Sequence, residues 1–295
     1  MEHEAQLQWE RRMGRPAAAA AIVACILLIT QVVVLQSVVF SDHPDTDRGA
    51  LRDIHEESGA WIAANLAQAV SVLAVGFVLW YLFKVTRYRR PQLPPWLVWV
   101  VIVGSILFAA GLAFGAFERV NVADKFMAGD YGEFGEKAAD DAIKDISVGP
   151  TALDSAGRLA VALSFVLVSI NAMRAGMLSR FLGIIGVIVG GLYVLPLFGG
   201  PQIVQLFWLG ALAMLVLGFW PGGRGPAWET GEAAPWPTAA ERRGLAPRGR
   251  DGEDEAPAEA DDAPDEEPDE EPEPAEPEPV PERPASRKRK RKRGR

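Results

Sequence analysis

A chain of 295 residues, 49% of them hydrophobic and with a formal net charge of −8, is long enough for one or two domains. Its averages conceal two unlike parts: residues 1–220 carry 16 basic and 18 acidic side chains and nearly all the Leu, Ile, Val and Phe, whereas residues 221–295 carry 14 basic and 20 acidic ones amid Pro, Ala and Gly. The single cysteine, Cys25, excludes an intrachain disulfide, and no CxxC or Cys/His cluster offers a zinc site, so Cys25 reads as a small buried apolar residue.

A bilayer core needs about 20 mostly apolar residues in a helix. Six stretches meet or approach this length: residues 17–40, 61–83, 96–117, 153–173, 181–198 and 202–220. The expected fold class is therefore all-α, a polytopic membrane bundle of six transmembrane helices. The first stretch follows Arg11, Arg12 and Arg15, but it exceeds a signal-peptide core, and Val38-Val39-Phe40 lacks a small-residue cleavage pattern. It reads as a retained span, behind an N-terminal segment of residues 1–16. The fourth stretch becomes apolar only near Leu159, so it must take Asp154 and Arg158 to its outer end as an i,i+4 pair, with Arg158 snorkelling toward the headgroups.

Loop charges set the orientation. Arg11, Arg12 and Arg15, then Lys84, Arg87, Arg89 and Arg90, then Arg174 and Arg180 mark one side. The opposite loops are acidic: six acids against two arginines in residues 41–60, and nine acids against four bases in residues 118–154. This predicts a bacterial inner-membrane protein with both termini in the cytoplasm. Trp61, Trp80, Tyr81, Trp96, Trp99 and Trp220 fall near span ends, where aromatic belts form. In the larger outer loop, residues 136–146 place Ala139, Ile143 and Ile146 on one face, which predicts a short amphipathic helix on or near the outer surface.

Small residues recur at Gly111 and Gly115 in span 3 and at Gly183, Gly186 and Gly190 in span 5. Such spacing lets helices approach closely, either within one bundle or at a homodimer seam. Asn65 and Gln68 share a face of span 2, and Asn171 lies near the inner end of span 4. They are candidate intramembrane polar contacts, for interhelical hydrogen bonds or for a substrate. No ionisable residue falls in the middle of a span, which weighs against a proton-coupled carrier.

The segment from Asp53 to Gly59 opens like a zinc-protease motif but has Gly59 where the second histidine belongs. The run Asp42, His43, Asp45, Asp47 starts like a calcium loop, but Gly49 stands where a further oxygen ligand is needed. Both read as solvated acidic loop. GxSxG, P-loop and Rossmann patterns are absent. All three histidines lie outside the spans, which excludes an intramembrane Ser–His dyad. No catalytic residue, cofactor or metal is implied.

Residues 251–282 hold 17 acids and no Lys or Arg, interleaved with Pro, and such a segment is predicted to stay disordered, as is the whole of 221–295. The chain then ends in a basic tip containing Arg287, Lys288, Arg289, Lys290, Arg291, Lys292 and Arg293. At about 1 kcal/mol per basic residue near an anionic leaflet, this tip is expected to contact anionic lipid headgroups. Fold-back on the acidic block competes with that contact. Nucleic acid is the least favoured partner.

At residues 171–194 the chain resembles a group of actinobacterial six-span integral membrane proteins of unknown function. The matching residues are Ala172, Arg174, Gly176, Leu178, Arg180, Gly183 and Gly186, a short basic turn followed by a Gly-rich span. The resemblance implies a membrane location and the six-span plan, and no activity. On residues alone, the expectation is a non-enzymatic scaffold, sensor or accessory subunit whose tail is a contact arm for a protein partner. The second expectation is a small-solute permease using Asn65, Gln68 and Asn171.

Overall fold

The computed structural model describes residues 2–40, 46–132, 134–195, 202–221 and 223–237. Among these residues there are helices and connecting turns and no strand. The elements are α1 (Glu2–Val34), running on as a π-helical turn (Leu35–Val39), α2 (Asp47–Glu56), α3 (Ser58–Arg89), α4 (Leu97–Ala128), α5 (Glu136–Lys144), α6 (Val148–Arg174), α7 (Arg180–Val194), α8 (Gln202–Leu217) and α9 (Ala227–Thr230).

Four helices, α1, α3, α4 and α6, are long and apolar enough to cross a membrane, and α7 and α8 are shorter apolar helices. At 1.5 Å per residue the four long helices extend about 40–50 Å, beyond a hydrocarbon core of about 30 Å. By the same rise α7 and α8 reach about 22–24 Å. The connection between them, residues 196–201, lies outside the described residues.

The helices pack through two kinds of surface. Ala17, Ala18, Ala21 and Ala24 give α1 a flat buried stripe, against which α3 and α8 lie. Ser71 Oγ on α3 donates to the Ala24 carbonyl at 2.9 Å. The closest seam joins α4 to α6. A side chain at Gly111 would run into the backbone of Asp154, and one at Gly157 into the backbone of Phe108. Aromatic rings fill the space beyond. Trp208 is fully buried, packs edge-on to Phe165 at 5.2 Å between centroids, and donates its indole N–H to the Leu182 carbonyl at 3.0 Å. Gly186 has no room for a β-carbon because Ser169 and Trp208 occupy that position. Gly183 and Gly190 face Met173 and the Ala162 carbonyl in the same way, at 2.8 and 2.7 Å from an added β-carbon. At Gly115 an added carbon makes only ordinary contact, at 3.4 Å from Arg119.

The excess helix length builds structure at both ends, and here the structure departs from the sequence reading in several places. First, α4 continues past residue 117 to Ala128 and stops at Gly129, whose φ of +87° suits a glycine cap. The added turns are amphipathic: Val122, Ala123 and Phe126 form a second small core with Leu51 and Ile54 of α2. Second, α5 exists but is rotated. Its buried face is Ala138, Ala139 and Ala142, while Ile143 is exposed and Ile146 packs at the margin. Small alanines let α5 approach α2 and α4, which a face led by isoleucine would not.

Third, the packed chain does not stop at 220. Residues 223–237 continue it, with Ala227 and Trp228 buried. Trp228 donates its indole N–H to the Met177 carbonyl at 2.9 Å. Residues 223–237 lie within the 221–295 segment expected from the sequence to be disordered. Residues 3–16, the N-terminal segment of the sequence reading, form the first turns of α1. Residues 238–295, with the acidic block and Arg287, Lys288, Arg289, Lys290, Arg291, Lys292 and Arg293, lie outside the described residues.

Candidate functional site

The end of the bundle that carries Arg11, Arg12, Arg15, Lys84, Arg87, Arg89, Arg90, Arg174 and Arg180 is here termed the basic end. Its central feature is a buried ion pair. Glu10 lies in the third turn of α1 and is 4% exposed; Arg89 closes α3 and is 7% exposed. The guanidinium meets the carboxylate in a two-pronged contact, Nη1 to Oε1 at 2.7 Å and Nη2 to Oε2 at 2.9 Å. Such fork-to-fork pairs combine charge with fixed geometry.

Two of the three remaining N–H donors of Arg89 are also engaged. Its Nε donates to the Ala227 carbonyl at 2.8 Å and its Nη1 to the Val85 carbonyl at 3.0 Å. Gln6 adds a hydrogen bond to Glu10 Oε1 at 2.9 Å, and Tyr81 Oη donates to the Glu10 carbonyl at 3.2 Å. One arginine thus ties the start of α1, the end of α3 and the segment at 227. Taking two charges out of water is costly, and only satisfaction of nearly all donors and acceptors offsets it.

Beside this pair is a polar cavity of about 480 Å³. Tyr81, Gly14 and Val216 line its apolar part, and Arg11, Arg15, Arg224, Glu10 and Glu229 its charged part. Arg224 caps α8, donating to the carbonyls of Leu215 (3.2 Å) and Val216, and its guanidinium stands over the Trp228 ring at 5.8 Å. Basic side chains at a helix C-terminus complement the exposed carbonyls there.

The opposite, acidic end has a smaller cavity of about 120 Å³, lined by Glu118, Arg119, Asp154 and Arg158 among others. Arg158 and Asp154 form the pair that their spacing predicts, at 2.9 Å, and the guanidinium lies over the Phe108 ring at 5.3 Å. Glu118 Oε1 accepts the Ser147 N–H at 2.7 Å, just ahead of α6, and also the Ser147 hydroxyl. His55 Nδ1 and Asp124 Oδ1 stand 2.6 Å apart across α2 and α4. That contact occupies the histidine of the HExx-like run; residues 42–45 of the calcium-like run lie outside the described residues. Tyr131 Oη donates to Asp145 at 2.8 Å. Desolvation first, then this hydrogen bond, push its pKa up to about 12.

The polar residues singled out within the spans do not converge. Asn65 donates to the Trp61 carbonyl at 2.8 Å and Asn171 to the Leu167 carbonyl at 2.8 Å, each four residues back in its own helix. Gln68 is half-buried on α3. Neither cavity is lined by these three residues. Of the other mid-span polar groups, Gln205 accepts from Tyr193 Oη at 2.8 Å, and Gln31 Oε1 is buried with no partner among the described residues. Cys25 is half-buried, with Sγ 3.7 Å from the Leu206 carbonyl.

Sequence reasoning missed the Glu10–Arg89 pair and the docking of Trp228. The available signals were slight: one acid, Glu10, placed beside the arginines of a basic segment, and tryptophans at 228 and 236 in a run otherwise dominated by Gly, Pro and Ala. No protein-family model, curated protein or solved structure matches this chain.

Proposed function

We propose that this is a six-span, non-enzymatic protein of the bacterial inner membrane, a scaffold or accessory subunit whose bundle holds a charged cytoplasmic contact arm. The observation that carries the reading is the docking of residues 223–237. Trp228 and Ala227 are held by Met177 and Arg89, so the root of the arm is fixed to the ends of several helices. An arm tethered in this way leaves the bundle from a defined point on its basic end. The charge asymmetry supports a cytoplasmic basic end, by the positive-inside rule. Counting α7 and α8 as spans makes the number even and keeps both termini on one side. Their length of about 22–24 Å is short for a core of about 30 Å, a mismatch that local thinning and interfacial anchors accommodate at modest cost.

The alternative, a small-solute permease, loses its support at Asn65 and Asn171. Asn65 and Asn171 each bond to their own helix, and together with Gln68 they line neither of the two cavities at the bundle ends, which favours the scaffold reading.

The test is removal of residues 251–295, which leaves the docked segment in place. Cross-linking in intact cells, followed by purification, should recover partner proteins with the full chain and not with the shortened one. Thermal unfolding of the bundle should be the same in both. Equal recovery from the two proteins would overturn the contact-arm reading.

A further inference from the structure

We infer that the cavity at the basic end binds the phosphate of an anionic phospholipid headgroup. The charge inventory comes first. Arg11, Arg15 and Arg224 contribute three positive charges to its lining, and Glu229 contributes one negative charge. Glu10 also borders the cavity, but Arg89 neutralises its carboxylate through both oxygens. Among the described residues, neither Arg11, Arg15 nor Arg224 forms an ion pair. The cavity therefore carries a net positive charge that no described group balances, and phosphate is the anion that guanidinium groups match best.

Depth and shape come second. The floor is Tyr81 and Val216, both part of the main apolar core, while the rim holds the exposed side chains of Arg11 and Arg15. Trp9, Trp80, Trp220 and Trp228 surround this level on α1, α3 and the segments after α8. Tryptophans gather where hydrocarbon gives way to headgroups. The cavity thus stands at headgroup depth, with an apolar floor inward and cations outward. Gly14 keeps it open, because a β-carbon there would reach 3.2 Å from both Tyr81 Oη and Val216 Cγ1. About 480 Å³ is ample for a phosphodiester with a small polar substituent. Glu229 offers that substituent a hydrogen-bond acceptor.

This site differs from the basic tip of the tail, and the proposal rests on the membrane reading above. It does not depend on which leaflet the basic end faces. A topology experiment that reversed the orientation would leave the binding result intact, so the two failures are distinguishable.

The experiment is native mass spectrometry of the full chain in detergent, titrated with phosphatidylglycerol, with phosphatidylcholine, and with inorganic phosphate. One phosphatidylglycerol should bind per chain in preference to phosphatidylcholine. In the double variant Arg11→Gln/Arg15→Gln its affinity should fall about thirtyfold, and in Arg12→Gln/Arg87→Gln, whose residues do not line the cavity, it should hold. The tail is common to all variants, so its own lipid contacts cancel. If inorganic phosphate displaces the lipid from the wild type and not from the double variant, the cavity takes the phosphate group from either source. If phosphate does not compete, the lipid is the source. Because Arg11 and Arg15 are exposed, unfolding temperatures should be unchanged, and Arg15→Glu should reproduce the loss through a single change. Unaltered binding in the double variant, equal losses in both double variants, or equal affinity for phosphatidylcholine would overturn the proposal.

Discussion

The two ends of the bundle are built from different materials. At the basic end a few large groups do most of the joining: Glu10, Arg89 and Trp228 are buried, and their hydrogen bonds connect α1, α3, the turn before α7 and the segment beyond α8. At the acidic end the joining is done by small apolar surfaces, the alanines of α5 and the Leu51, Ile54 and Phe126 cluster, with ion pairs at the surface. The lesson is one of vulnerability. A buried charged node fails as a unit when one member is lost, whereas a surface of many small contacts yields locally.

The largest effect is expected at Arg89. Arg89→Leu leaves the Glu10 carboxylate buried without its counter-charge, a loss of about 3–5 kcal/mol in unfolding experiments in detergent. The double variant Glu10→Gln/Arg89→Leu should recover part of it, since the uncompensated charge is then gone. Next comes Trp228→Ala, at about 3 kcal/mol, with residues 223–237 becoming accessible to hydrogen exchange while α4 and α6 stay protected. Equal exposure of both regions would break the distinction between a docked segment and the bundle.

Smaller effects belong to the bundle seam and the acidic end. Gly157→Ala places a carbon against the Phe108 backbone and should cost about 1–3 kcal/mol, whereas Gly191→Ala, with nothing within 4 Å, should be close to neutral. Ala142→Leu should cost a similar 1–3 kcal/mol but read out locally, as faster exchange in Glu136–Lys144 with no change in α3. The smallest is Asp124→Asn. It weakens the exposed contact with His55 and should shift stability by less than about 1 kcal/mol.

The positions of the helices were legible because apolar runs in a chain like this have few alternatives. The span read as 61–83 falls within α3, the one read as 96–117 begins at the residue just before α4, and Asp154 and Arg158 meet as their spacing demands. Their extents were not legible, since the hydropathy of a run ends where helix overhang begins. Residues 118–128 are helical by amphipathic packing on α2, not by apolar content. The face of α5 was misjudged because bulk suggested Ile143 and geometry selected Ala142. The α2 helix was read as acidic loop, because its only large apolar residues are Leu51 and Ile54. The pairing of Glu10 with Arg89 crosses 79 positions, and no local spacing reports it. Asn65 and Asn171 were readable as polar groups in apolar helices, but whether such a group bonds outward or to its own backbone depends on neighbours the sequence does not order.

The proposed orientation puts the basic end, with the root of the tail fixed to it, in the cytoplasm. Single cysteines at Asp130 and at Ala260, each in a Cys25→Ala background, test it through a membrane-impermeant maleimide applied to intact cells. Labelling at 130 and protection at 260 until the cells are opened is the predicted result. Labelling at 260 in intact cells would contradict the account.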